Sequence, residues 1–256
     1  MNRVISLKDK VIIVTGSSKG IGLEIGKKLL SNQAKVVFCS RKIEEEKTSL
    51  GIESKNAFFV NIDIRNKQSI HSAIEKVVNH FGSIDILINN AGDNGEVSKW
   101  LDSDPERERN IFETHVFGCL NMIRAVVPLM KERGSGLIIN IGSIVGFVPM
   151  PGLAMYSAAK ASVISLTKSL RHELKKEGID LRLFVPPHCT TGHNIGRRTN
   201  HTPESVALKF INVLFKGKIS FVYEEYLVIL KRYFPKITQA IMNKTGDLAL
   251  KIRYPE

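Results

Sequence analysis

Six short β-branched or aliphatic runs alternate with helical stretches along the first 185 residues, and few folds accept that alternation. The runs are V-I-I-V-T (11–15), A-K-V-V-F-C-S (34–40), A-F-F-V-N-I-D (57–63), I-D-I-L-I-N-N (84–90), G-L-I-I-N-I-G (136–142) and D-L-R-L-F-V (180–185). Between them lie G-I-G-L-E-I-G-K-K-L-L, the amphipathic S-I-H-S-A-I-E-K-V-V-N-H-F, a long helix from about Pro105 to Lys131, and another from Tyr156 to about Lys176. Runs this apolar are buried on both faces, and strands separated by helices pair in parallel. The expected architecture is α/β: one doubly wound parallel sheet flanked by helices on both faces.

No repeat or low-complexity tract interrupts the pattern, and nothing in 1–190 reads as a domain boundary, so residues 1–256 are expected to form a single domain. After Thr191 the pattern changes. T-P-E-S-V-A-L-K-F-I-N-V-L-F reads as a helix with Thr202 as N-cap and Pro203 at its first position. I-S-F-V-Y reads as a last strand, and the tail beyond it is basic, aromatic and amphipathic, interrupted at Pro235.

Cys39, Cys119 and Cys189 are odd in number and widely spaced, which indicates neither a disulfide framework nor a metal cluster. With no apolar signal-peptide core and no run of membrane-spanning length, a cytoplasmic location is expected. The net charge is +12, and residues 197–256 hold eleven Lys/Arg against five Asp/Glu, half of that excess. No interleaved aromatic–basic reader motif accompanies it, so no nucleic-acid partner is expected. The excess is read as solubility and as a local pull on a phosphorylated cofactor.

Three motifs carry the chemistry. T-G-S-S-K-G-I-G (15–22) places Gly16, Gly20 and Gly22, with Ser18, Lys19 and Ile21 among them, where the first strand turns into the first helix. Glycine allows a tight turn and close approach of a pyrophosphate, and the helix N-terminus offers N–H groups to it. N-N-A-G (89–92) follows the fourth strand. Ser143 follows the fifth, and Tyr156 and Lys160, four apart, share one helix face. An ammonium beside a phenol favours the phenolate, which suits proton transfer near neutral pH. In this order and spacing, over roughly residues 8–191, the chain resembles the short-chain dehydrogenase/reductase family, of Rossmann-type fold.

That resemblance implies hydride transfer between a nicotinamide and a ketone or secondary alcohol. Ser143 would hold the substrate oxygen, Tyr156 would exchange the proton, and Lys160 would lower the Tyr156 pKa and bind the nicotinamide ribose. Asp63, followed by Ile64, would meet the adenine, and Asn90, Ala91 and Gly92 the ribose side. The second strand ends in Ser40 and Arg41 where an NAD site carries an acid, so with Lys19 the expected cofactor is NADP(H). A homodimer or homotetramer paired through the long central helices is expected, and peripheral membrane contact through the tail is open.

Two departures bear on catalysis. E-T-H-V-F-G puts His115 where the family has an asparagine that holds a proton-relay water; the histidine would take over that role, retune the pH profile, or weaken catalysis. After the sixth strand the family's Pro-Gly becomes F-V-P-P-H-C-T-T, a double proline similar to the 3-ketosphinganine-reductase-like branch. Pro186, Cys189 and Thr191 would then line the cofactor, and His188 and His193 the substrate mouth; one short loop offers too few ligands for a metal. Ketone reduction, of an apolar or long-chain substrate, is the leading expectation. An alcohol dehydrogenase working in biosynthesis and a catalytically weakened NADP-binding sensor are the alternatives.

Overall fold

The computed structural model describes residues 6–93, 97–189, 201–215, 220–222, 232 and 234–253. Its elements run β1 (Val11–Thr15), α1 (Gly20–Ser31), β2 (Lys35–Ser40), α2 (Ile43–Glu46), β3 (Ala57–Asn61), α3 (Lys67–Phe81), β4 (Ile86–Asn89), α4 (Pro105–Phe112), a π turn (Glu113–Gly118), α5 (Cys119–Glu132), β5 (Gly136–Ile141), α6 (Ala154–Lys176), β6 (Ile179–Val185), α7 (Pro203–Phe215), β7 (Ser220–Val222) and α8 (Pro235–Arg253). The strands form one parallel sheet in the order β3-β2-β1-β4-β5-β6-β7.

Every residue of β1 is buried, and its side chains alternate between two cores. Ile12 and Val14 join Ile25, Leu29, Phe184 and Phe210 on the face covered by α1 and α7. Val11 and Ile13 join Ile74, Val77, Met122 and Val126 on the face covered by α3 and α5. A strand clothed on both faces has no place for the polar half of an alternating pattern, which is why these runs are continuously apolar. Gly26 lets α1 lie on β2, because a Cβ there would run into the Phe38 ring.

The caps follow local chemistry. Asn66 accepts from the Ser69 amide at α3, and Asp104 from the Glu106 amide at α4, with Pro105 at the first position. Thr202 caps α7 as its sequence predicts, its Oγ1 accepting from the Ser205 amide at 3.2 Å. Two expectations are corrected. The third strand ends at Asn61, leaving Asp63 in the following turn, where its backbone N–H donates to Ser69 Oγ. The helix expected over 105–131 is α4 and α5 joined by the six-residue π turn that carries His115.

The sheet order reverses between β1 and β4, and there the carboxyl ends of the strands open a crevice. The loops that bear the three motifs all leave from this edge.

Candidate active site

The β1–α1 turn is shaped by its glycines. Gly16 and Gly20 have φ of 66° and 61°, in the left-handed region that a side chain disfavours. A Cβ on Gly22 would strike the Asn90 amide and the Gly16 carbonyl. The N-cap residue of α1 is Lys19, which makes no side-chain cap bond, and the first turn holds no acid. The first N–H groups of α1 therefore face the crevice with a cation beside them, a setting for phosphate. Ser17, singled out by nothing in the sequence, stitches the turn to β2: its Oγ donates to the Val14 carbonyl and accepts from the Cys39 amide, both at 2.8 Å.

Ser40 and Arg41 close β2, Arg41 exposed and without a carboxylate at the strand end. Beyond β3, both Asp63 oxygens accept from Arg65, from Nε at 3.0 Å and from Nη2 at 2.7 Å. Arg65 holds the Asp63 carboxyl below the usual range, and Arg41 adds to the effect. The acid expected to meet an adenine is thus already clamped, and Arg65 also donates to Asn110 of α4. Ile64 is buried against Gly118 of the π turn.

N-N-A-G serves the turn first. Asn90 Nδ2 donates to the carbonyls of Thr15 and Gly16, and the Asn90 and Ala91 amides both donate to Thr15 Oγ1 at 3.0 Å. Gly92, at φ 133°, is where the His115 ring comes down on the backbone; a Cβ would sit inside the ring.

Ser143, Tyr156, Lys160 and His115 come together at the head of β5 and α6. Tyr156 hydrogen-bonds Ser143 and meets His115 edge-on, ring centroids 5.3 Å apart. Lys160 is buried, donates to the Ile141 carbonyl at 2.8 Å and stands 5.7 Å from the Tyr156 ring centre. Burial lowers the Lys160 ammonium to about 8. The Tyr156 phenol moves opposite to expectation: burial and the nearby Asp93 charge push it up to about 12 against the Ser143 hydrogen bond. Lys160 points at a carbonyl, and desolvation rather than the Lys160 charge dominates the phenol.

His115 also departs from expectation. Burial, then the Lys160 charge, lowers it to about 3, so the ring is neutral at physiological pH and does not titrate near neutrality. Its Nε2 lies 2.6 Å from the Asp93 carbonyl and donates to it, which leaves the lone pair on Nδ1. Nδ1 is buried with no partner, and so is Oδ1 of Asn89. Both residues line a cavity of about 10 Å³, shared with Lys160, Thr15 and Cys119. That is about the room one water needs, and the polar partners are present.

Behind the cavity runs a chain that the sequence reading missed. Asn89 Nδ2 donates to Asn140 Oδ1 at 2.9 Å, Asn140 Nδ2 to Thr167 Oγ1 at 2.9 Å, and Thr167 Oγ1 to the Val163 carbonyl. Cys119 Sγ joins at Asn140 Oδ1. The asparagines inside I-L-I-N and I-I-N-I were the available signal, because a polar residue in a doubly covered strand must find partners.

After β6, Pro186 is half-buried and the Cys189 side chain packs into the core, its thiol raised to about 11 by burial. Thr191 and His193 lie outside the described residues. Among the described residues no group of three His, Cys, Asp or Glu could hold a metal, and no helix is long and apolar enough to cross a membrane.

Comparison with known proteins agrees with this geometry. Residues 10–202 match the short chain dehydrogenase family. The chain is 33% identical over 208 residues to an uncharacterised oxidoreductase of Staphylococcus epidermidis, covering 78% of this chain and 89% of that one. It is 32% identical over 186 residues to a 3-oxoacyl-[acyl-carrier-protein] reductase of Vibrio cholerae, covering 73% and 76%. Among solved structures, a 3-ketoacyl-(acyl-carrier-protein) reductase from Brucella melitensis complexed with NADH is similar at a TM-score of 0.73 and 29% identity, covering 82% of this chain and 92% of that one. A short-chain dehydrogenase from Streptomyces avermitilis shares the fold at a TM-score of 0.78 and 24% identity, covering 94% and 98%. The glycine cradle, the uncapped α1 terminus and the Ser143–Tyr156–Lys160 cluster fit a nicotinamide dinucleotide, and the chain belongs to the short-chain dehydrogenase family, oxidoreductases of CH–OH and C=O groups.

Proposed function

We propose that the chain is an NADP(H)-dependent reductase of a ketone, with Ser143, Tyr156 and Lys160 as its catalytic residues and His115 as a positioning residue. The observation that carries the proposal is the meeting of Ser143, Tyr156 and Lys160 beside a glycine turn, next to a second strand that ends in Ser40 and is followed by Arg41. The nicotinamide, when bound, supplies the hydride; the chain handles the proton. Ser143 orients the carbonyl oxygen, and Tyr156 donates its proton to that oxygen as the carbinol forms. Burial and Asp93 hold the phenol in the protonated form that ketone reduction draws on. Lys160, which lines the small cavity with His115, would bind the nicotinamide ribose.

Lys19 and Arg41, with no acid at the end of β2, support a 2′-phosphate. The Asp63–Arg65 clamp sets the adenine end, with Arg65 as a further cation there. The 3-oxoacyl reductases among the relatives support an acyl carbonyl substrate. The exposed Phe117, in the π turn between α4 and α5, supports a homodimer.

Fluorescence titration with NADPH and NADH, followed by a carbonyl screen over a chain-length series, tests this reading. Tighter NADPH binding, turnover of an acyl ketone, and a shift toward NADH in Arg41→Asp are expected. Equal affinities, or preference for NADH in the parent, overturn the cofactor assignment.

A further inference from the structure

Helix α8 carries a surface that the hydride chemistry does not use. Thr238, Met242 and Gly246 face inward, and Gly246 sits so close to Pro151 that a Cβ would strike it. Gln239 Nε2 donates to the Pro149 carbonyl at 3.2 Å. The helix therefore rests on the 149–152 turn, between Ser143 and Tyr156 in the chain, beside the site. On the outward side Ile237, Ile241 and Leu248 are 45–57% exposed, with Phe234 just before the helix at 54%. At about 100° per residue the three aliphatic residues fall within an arc of about 40°, and the exposed Lys244 and Lys251 lie within about 40° of its edge. Such a face, apolar with lysines along one border, has the composition of a helix lying in a membrane interface.

We propose that this face docks the protein on an anionic lipid bilayer. Charge selects the occupant. α8 holds Lys236, Lys244, Lys251 and Arg253 against one acid, Asp247, in a chain of net charge +12. Pairing the face with a second copy would gather Lys244 and Lys251 twice over in one interface, and four apolar side chains fall well short of the roughly 20–30 residues a side of a stable pair. An anionic headgroup layer answers the lysines, and its acyl boundary answers Ile237, Ile241 and Leu248. The turn carrying Trp100 and Leu101, 64% and 87% exposed, adjoins α8: Ser98 N–H donates to the Gly152 carbonyl, and Leu250 of α8 packs at Gly152. Docking by α8 thus brings apolar substrate to the mouth. That consequence rests on the ketone-reduction reading, whereas docking itself is measured without turnover, so the two fail separately.

Co-sedimentation of the full chain with vesicles tests it, using phosphatidylcholine alone or phosphatidylcholine containing phosphatidylglycerol. At low salt the anionic vesicles should bind at least tenfold more protein, and added salt should release it. Lys244→Glu with Lys251→Glu should cut binding at least tenfold without lowering the melting temperature, because both side chains are exposed. Ile237→Glu with Ile241→Glu should do the same; if that variant unfolds, the lysine variant and the salt series still decide. No binding by the parent, equal binding to neutral vesicles, or undiminished binding by the lysine variant overturns the proposal. A dimer that dissociates in the isoleucine variant while vesicles bind nothing assigns the face to a second copy and overturns it equally.

Discussion

Tyr156 and His115 face each other across 5.3 Å, and each has its proton fixed by its surroundings. With the Tyr156 phenol raised to about 12, Tyr156→Phe removes the proposed proton donor and keeps the ring. Turnover should fall at least 100-fold while NADPH affinity changes little, checked by steady-state kinetics and fluorescence titration. Asp93 raises the same phenol, so Asp93→Asn should lower its pKa, visible as a basic limb of the pH–rate profile shifted to lower pH. For His115, the orphaned Nδ1 and Asn89 Oδ1 both line the small cavity with Lys160. One water there would accept from Lys160 and donate to both atoms, so His115 would stand in for the family's asparagine. His115→Leu should lose at least tenfold in turnover, because leucine offers that water nothing and a buried water stripped of partners is costly. His115→Asn should keep most of the activity. Its acid limb should stay where it is, since an imidazole held at about 3 does not titrate in the working range. Wild-type turnover in His115→Leu would make the ring mere packing.

The π turn shows what an element adds beyond its residues. E-T-H-V-F-G keeps helical apolar spacing, so nothing in its period separates a π turn from an α-helix. The turn nevertheless sets the direction of His115, and Gly92 across from it leaves space for the ring. Gly92→Ala should therefore act on both, straining a backbone at φ 133° and displacing the imidazole. A loss of about 1–3 kcal/mol in chemical unfolding is expected, with turnover lowered as in His115→Leu. Full activity in Gly92→Ala would mean that the ring position is immaterial. The strands, helices and parallel order could be read from the chain because doubly buried strands are apolar without interruption. Thr202 and Pro203 announced α7 through capping chemistry, and the glycine turn and the Ser143, Tyr156 and Lys160 positions through their spacing. The Asn89–Asn140–Thr167 chain, the Arg65 clamp on Asp63 and the Asp93 contacts were not legible. They join residues as far apart as 51 positions, and their meaning comes from burial and direction, which spacing does not encode. The sign of the Tyr156 shift was misread for the same reason: desolvation depends on what surrounds the ring.

At the scale of the whole molecule, the site is maintained against the folding preference of its own parts. Lys160 is an ammonium inside the protein, its pKa lowered from 10.5 to about 8 by burial. Below pH 8 both the folded and the unfolded chain hold that proton, and the folded state bears the cost of the buried charge, on the order of 3 kcal/mol. Between 8 and 10.5 the folded chain gives the proton up while the unfolded chain keeps it, so this contribution makes stability rise with pH. Other groups work the opposite way from about pH 8: Cys39, Cys119 and Cys189 are raised from 9.0 by burial, and Tyr156 from 10.0. Their unfolded forms ionise first, which lowers stability as pH climbs. The Lys160 effect is therefore read as the difference between the parent and a variant that keeps the cysteines and Tyr156. Lys160→Met keeps the length and apolar stem of the side chain and removes the proton. Chemical unfolding across pH 7 to 9.5 should make the parent gain stability relative to Lys160→Met as pH rises, while the methionine variant loses turnover. Parallel curves would mean that Lys160 keeps an ordinary pKa inside the fold. A parent that gains stability on the variant as pH rises would show the whole fold bearing the cost of one charge, buried next to Tyr156.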